Sequence, residues 1–121
     1  MDKLSPLALD ILICLVPEGS EGVRLGHLMH DCFERPQFGA PDLSMPLVER
    51  RKAILRVVRN EVRPFVEEHG GRNSLLVTYL PAKAERPLGM ATCYAVRHEA
   101  FAAVQANLEA IPEVAKWFKS G

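Results

Sequence analysis

Between Arg50 and Arg63 the chain places Arg50, Arg51, Lys52, Arg56, Arg59 and Arg63 against a single acid, Glu61. Planar guanidinium forks and a mobile ammonium, gathered this densely, have the chemistry of anion recognition. The formal net charge of the whole chain is zero, so this is a local polarity that the total conceals. At roughly 100° per residue, Lys52, Arg56, Arg59 and Arg63 form one stripe of a helix, about 130° from a second stripe of Leu47, Ile54, Val58, Val62 and Phe65. One stripe suits a core and the other suits anions. The plain alternative is a solvated outer face, since surface arginines are common. Arg51 lies near the apolar stripe, where its stem can cover the edge of the core.

Other reactive side chains assemble less well. His27, His30 and Cys32 have the donor atoms of a transition-metal site, but the cysteine lies on the apolar face of its helix and the histidines on the other. Solvent-exposed histidines are the better reading, and no metal or other cofactor is expected. Cys93 and His98 suggest a catalytic thiol, yet a cysteine between Thr92 and Tyr94 in a strand reads as core. Paired carboxylates with a nearby base, a glycine-rich phosphate loop and a serine elbow are all missing, so an enzyme is the least favoured class.

The elements that must carry these residues follow from the remaining pattern. With 121 residues and 48% hydrophobic content, the chain has the size and composition of one ordinary domain. The apolar run from Leu7 to Val16 is broken by Asp10 and stopped by Pro17, too short for a membrane span. The opening MDKLSP lacks the features of a signal peptide, which predicts a cytoplasmic protein. Cys14, Cys32 and Cys93 are odd in number and set in largely apolar segments, as reduced thiols would be.

Ser5 and Pro6 are an N-cap and a first-turn proline for a buried helix that ends at Pro17, with Gly19 and Gly22 in the turn after it. Val23 to Leu25 predicts a very short strand, and Leu25, Leu28, Met29, Cys32 and Phe33 then repeat along one helical face. Residues 34–43 hold two prolines and a glycine without a period, a loop longer than the usual connection of about two to eight residues. The basic helix spans Ser44 to Gly71, with a kink or break near Asn60 to Arg63 ahead of Pro64 and a glycine C-cap. Residues 73–80 and 89–97 predict an antiparallel hairpin with Lys83 and Arg86 near its tip. A final helical segment, interrupted at Pro112, carries Phe101, Val104, Leu108, Ile111 and Phe118 on one stripe. That stripe either docks on its own domain or meets a second copy.

This order resembles the winged helix-turn-helix superfamily over residues 5 to 97, through Val23 to Leu25, the RRKAILRVVR helix and the NSLLVTYL and GMATCYAVR strands. The resemblance implies an α+β fold: a helical core, an antiparallel wing of two or three strands and a C-terminal helix. It divides the chain into a winged-helix domain, 1–97, and a C-terminal helical extension, 98–121. It also implies a small transcriptional regulator whose third helix enters double-stranded DNA. Carried onto this sequence, the DNA-binding residues are Arg50, Lys52, Arg56, Arg59 and Arg63, with Lys83 and Arg86 on the wing. A homodimer formed through Phe101, Val104, Leu108, Ile111 and Phe118 would let two copies read two half-sites. The long 34–43 loop and Pro64 depart from the superfamily pattern. Two other readings stand beside it: a winged-helix module that binds protein without DNA, and a ligand- or metal-responsive repressor.

Overall fold

The computed structural model describes residues 4–79 and 92–120. Helix α1 (Pro6–Leu15) opens on Ser5, whose hydroxyl accepts from the Ala8 N–H at 3.2 Å, with Pro6 in the first turn. The Glu61 carboxylate accepts both the Ser5 N–H and its hydroxyl, at 2.8 and 2.9 Å, and brings an anion to the positive end of α1. A 3₁₀ segment (Val16–Glu21) follows, then β1 (Val23–Arg24) and α2 (Leu25–Glu34). Leu25, Leu28, Met29, Cys32 and Phe33 are all buried, as their spacing predicts.

The basic helix differs from its sequence prediction in a telling way. It starts at Leu47 and runs as α3 (Leu47–Val57), a π-helical turn (Val58–Val62) and α4 (Arg63–Gly70). Ile54, Val58, Val62 and Val66 recur every fourth residue and are all buried. On a regular α-helix each such step advances about 40°, so the four side chains would spread over roughly 120°. The wider turn, in which the Arg63 N–H reaches the Val58 carbonyl, takes up that drift and keeps them on one line. Pro64 has no N–H to lend the preceding turn, so the widening falls where the sequence predicts a break. Leu47 does not join the core stripe. It is 58% exposed, and Val66 extends the stripe at the other end.

Strands β2 (Leu75–Tyr79) and β3 (Thr92–Val96) pair antiparallel, with Leu75 opposite Val96 and Tyr79 opposite Thr92. The short β1 pairs antiparallel with β3 on its other side, Val23 opposite Tyr94, giving the sheet order β1-β3-β2. Gly22 makes this possible. Its φ of 80° suits glycine, and a Cβ there would lie 2.6 Å from the Tyr94 carbonyl oxygen.

A 3₁₀ turn (His98–Ala100), α5 (Phe101–Glu109) and α6 (Pro112–Ser120) complete the described chain. The C-terminal stripe takes the first of its two destinations. Val104 and Leu108 are fully buried in the same core as α1 and α4, joined by Val114 of α6. Ala100, Val104, Leu108 and Val114 thus pack the 3₁₀ turn, α5 and α6 against that core. At Gly70 a Cβ would lie 2.7 Å from Ala100 Cβ and 2.8 Å from Val104 Cγ2, so α4 and α5 approach through a glycine. The fold is α+β, helices packed with a three-stranded antiparallel sheet.

Candidate nucleic-acid interface

The connection between α2 and α3 decides what α3 presents, and two buried charges hold it. Asp10, 3% exposed in the middle of α1, accepts the backbone N–H groups of Gln37, Phe38 and Gly39 at 2.7, 3.2 and 3.2 Å. Burial pushes its carboxyl above the ordinary value, opposed by those three donors. At the other end of the loop, Arg50 is 8% exposed. Its Nε donates to the Met45 carbonyl at 2.8 Å and its Nη2 to the Leu43 carbonyl at 3.1 Å. The guanidinium also stands 3.7 Å from Glu34 and 5.9 Å from the centroid of the Phe33 ring. An anion thus gathers the loop's donors and a cation its acceptors. Trp117 of α6 adds a third anchor, its Nε1 donating to Gln37 Oε1 at 3.0 Å.

This corrects the reading of Arg50 as a DNA contact. The side chain turns inward as a structural clamp and is not free to meet a ligand. What the clamp presents is apolar: Leu43, Leu47 and Val48 are 67%, 58% and 64% exposed at the end of the loop and the start of α3. The backbone of Leu43 binds Arg50 while its side chain faces water.

The outer line of the long helix, opposite the buried one, is Val48, Lys52, Arg56, Asn60, Pro64 and Glu68, all exposed. Arg59 is exposed beside it and touches Asn60 Oδ1 at 3.5 Å. Lys52 has a solvent-exposed partner, Glu49, at 3.7 Å, whereas Arg56 and Arg59 make no ion pair with any described residue. Arg63 is half-buried and pairs with Glu67 at 4.0 Å. The exposed cationic ridge therefore narrows to Lys52, Arg56 and Arg59 on α3 and the π turn, with Arg56 and Arg59 its unpaired members among the described residues, while α4 carries mixed charge. Arg51 is half-buried, and its Nε is buried without a hydrogen-bond partner. Lys83 and Arg86 lie outside the described residues.

Of the side chains expected at a dimer contact, Val104 and Leu108 are withdrawn into the core. Phe101 and Ile111 are half-buried against it, and Phe118 alone is exposed. Phe118 stacks edge-on with Trp117 at 4.8 Å between ring centroids. His27 and His30 are exposed and each meets the acid one turn on: His27 Nε2 lies 2.9 Å from Asp31, and His30 Nδ1 lies 2.6 Å from Glu34. Among the described residues no group of three or more His, Cys, Asp and Glu side chains is set to hold a metal ion. Nor, among them, is any helix long and apolar enough to cross a membrane.

Sequence reasoning registered Asp10 only as a break in an apolar run. A single carboxylate on a helix apolar on nearly every side was the available signal, because such a group must find donors once buried. Glu61 had a similar signal, as the lone acid in the basic stretch, and its partner Ser5 lies at the far end of the chain. Comparison with protein-family models, curated proteins and solved structures finds no match.

Proposed function

We propose that this chain is a winged-helix DNA-binding protein acting as a small transcriptional regulator, with the outer face of α3 against duplex DNA. The observation that carries the reading is the ridge of Lys52, Arg56 and Arg59, set outward on the helix that precedes two antiparallel strands. Two arginines on this ridge are unneutralised by any described residue. The order α1-β1-α2, then the long α3–α4 helix with its π turn, then β2 and β3, with the first strand closing on the last, supports the winged-helix assignment. The ridge contributes phosphate contacts and the α3 N-terminus approaches the base edges, where Leu47 and Val48 would meet thymine methyl groups.

The test is anisotropy binding of a random duplex at several salt concentrations, comparing the native chain with Arg56→Ala/Arg59→Ala. Each lost phosphate contact lowers the slope of log K against log salt by about 0.9, so the double variant should lose roughly 1.8. An unchanged slope and affinity would refute the reading. A mass measurement on the same sample decides the homodimer that such regulators use.

One observation favours a second reading, a module that binds protein. Leu43, Leu47 and Val48 form an exposed apolar patch beside a basic ridge, which suits a partner that is apolar and acidic. A chain that fails to bind duplex at low salt, yet loses a protein partner on Leu47→Ser, would select it.

A further inference from the structure

Where the end of α1, the 3₁₀ segment and β1 meet α2, a cavity of about 450 Å³ opens to the surface, and no residue of α3 lines it. The buried Val23 and the half-buried Ile13 give it apolar walls, with Pro17 exposed at the edge. Glu18 of the 3₁₀ segment, Arg24 of β1 and Asp31 of α2 bring charge to the same space. Glu18 and Arg24 are exposed, and neither makes a hydrogen bond or ion pair with the other or with any other described residue. Asp31 is half-buried. His27 Nε2 holds its Oδ2 at 2.9 Å, and its Oδ1 has no partner among the described residues.

We propose that this cavity binds a free α-amino acid with an apolar side chain, its carboxylate on Arg24, its ammonium between Glu18 and Asp31, and its side chain against Ile13, Pro17 and Val23. The volume falls within the range of small-molecule sites, roughly 300–1,000 Å³. Such sites are largely apolar, with a few placed polar groups that fix orientation. Here the apolar walls and the three charges divide those tasks.

Charge selects the class of ligand. A simple carboxylate would gain the Arg24 guanidinium but stand beside two acids. A simple amine would gain the acids but meet the guanidinium. Only a zwitterion satisfies both signs, with two parallel N–H donors for its carboxylate and oxygen acceptors for its three ammonium protons. Because Arg24 and Glu18 share the cavity without pairing, a ligand breaks no ion pair on entry. His27, one turn before Asp31 on α2, holds that carboxylate in place, which lowers the cost of ordering it on binding. Val23 and Ile13 offer no side-chain donor or acceptor, so a polar ligand side chain would lose water there without replacement.

The experiment titrates the isotope-labelled full chain with L-leucine at millimolar concentration, follows backbone amide shifts, and takes affinity from calorimetry. Leucine should bind and move the amides of Val23, Arg24 and His27 most. Isopentylamine, which lacks the carboxylate, and isocaproate, which lacks the ammonium, should each bind roughly tenfold or more weakly than leucine, as loss of a charge-assisted hydrogen bond implies. Arg24→Gln should weaken leucine by a similar factor without weakening isopentylamine, and Glu18→Gln should weaken leucine without weakening isocaproate. Both side chains are exposed, so neither change should disturb the fold. No shift with leucine, shifts centred on the smaller cavity at Arg35 and Trp117, an analogue that binds as well as leucine, or undiminished leucine affinity in either variant would each overturn the proposal. The three-ligand comparison on the native chain decides the matter if a variant fails to fold. All of these readouts are independent of DNA binding.

Discussion

Arg50 gives the sharpest division between a side chain that holds the loop ahead of α3 and those that the proposed function sets against DNA. Removing it as Arg50→Ala deletes two charge-assisted hydrogen bonds to the Leu43 and Met45 carbonyls, at 3.1 and 2.8 Å. Each is worth about 1.5–3 kcal/mol net when its partner is buried. Both carbonyls belong to a surface loop that water can reach once the guanidinium is gone, so the lower end of that range applies. The Glu34 pair, 3.7 Å away with a carboxylate more than a third exposed, adds little. The expected loss is about 2–4 kcal/mol, which lowers the urea midpoint without changing the slope of the unfolding transition. Arg50→Met should recover the fraction due to the packed stem. In Arg56→Ala the side chain is exposed and makes no ion pair with any described residue, so stability should move by less than about 0.5 kcal/mol. The effects on binding run the other way: Arg56→Ala should reduce the salt slope and Arg50→Ala, where folded, should keep it. An Arg50→Ala protein as stable as the native chain but with a reduced slope would refute the inward-clamp reasoning.

Asp10→Ala strands three loop N–H groups and should cost about 1–3 kcal/mol, with faster hydrogen exchange at Gln37, Phe38 and Gly39. Because burial raises the Asp10 carboxyl in the folded state, its titration favours the fold below the ordinary value of 3.8 and loses that contribution as pH rises through the folded value. Asp10→Asn should remove this component from a stability profile taken at acid pH. Gly22→Ala should destabilise by about 3 kcal/mol or more, combining a strained positive φ with the clash on the Tyr94 carbonyl. Gly71→Ala, also at positive φ but with nothing within 4 Å of the added carbon, should cost nearer 1 kcal/mol in thermal melts. Leu47→Ser/Val48→Ser should leave stability within about 0.5 kcal/mol and weaken duplex binding without altering its salt slope. A slope change there would place phosphate contacts where none are expected.

The secondary structure of the described chain was legible wherever a period was local. The short β1, the buried face of α2 and the β2-β3 pairing all follow from spacing, turn residues and β-branched content within neighbouring stretches of the chain. The long helix was legible in extent but not in phase. A fixed turn of 3.6 residues put Leu47 in the core and Arg63 on the cationic stripe, and the winged-helix resemblance added Arg50 to the expected contacts. The every-fourth-residue run of Ile54, Val58, Val62 and Val66 carries the π turn, and Leu47 does not fit that run. The C-terminal stripe was legible as apolar. Whether it faced its own chain or another depended on α4 leaving room at Gly70, a contact across a wide sequence separation. The same holds for Asp10 and Arg50, whose hydrogen-bond partners are loop backbone atoms with no side-chain signature, and for Trp117, whose partner Gln37 lies 80 residues away.

The two loop clamps also bear on how the third helix is set. Burying Asp10 and Arg50 carries a desolvation cost, which only their hydrogen bonds offset. Both charges spend those bonds on backbone, the carboxylate on N–H groups near Gln37 and the guanidinium on C=O groups at Leu43 and Met45. A loop fastened in this way fixes where α3 begins, because Pro46 and Leu47 follow directly on the second clamp. The exposed Leu47 and Val48 are therefore held in register with Lys52 and Arg56 one turn and two turns further on. An apolar tip and a cationic flank on one rigid line make a surface that can separate shape recognition from charge. Affinity that survives high salt would come from the tip, and the salt-dependent part from the ridge.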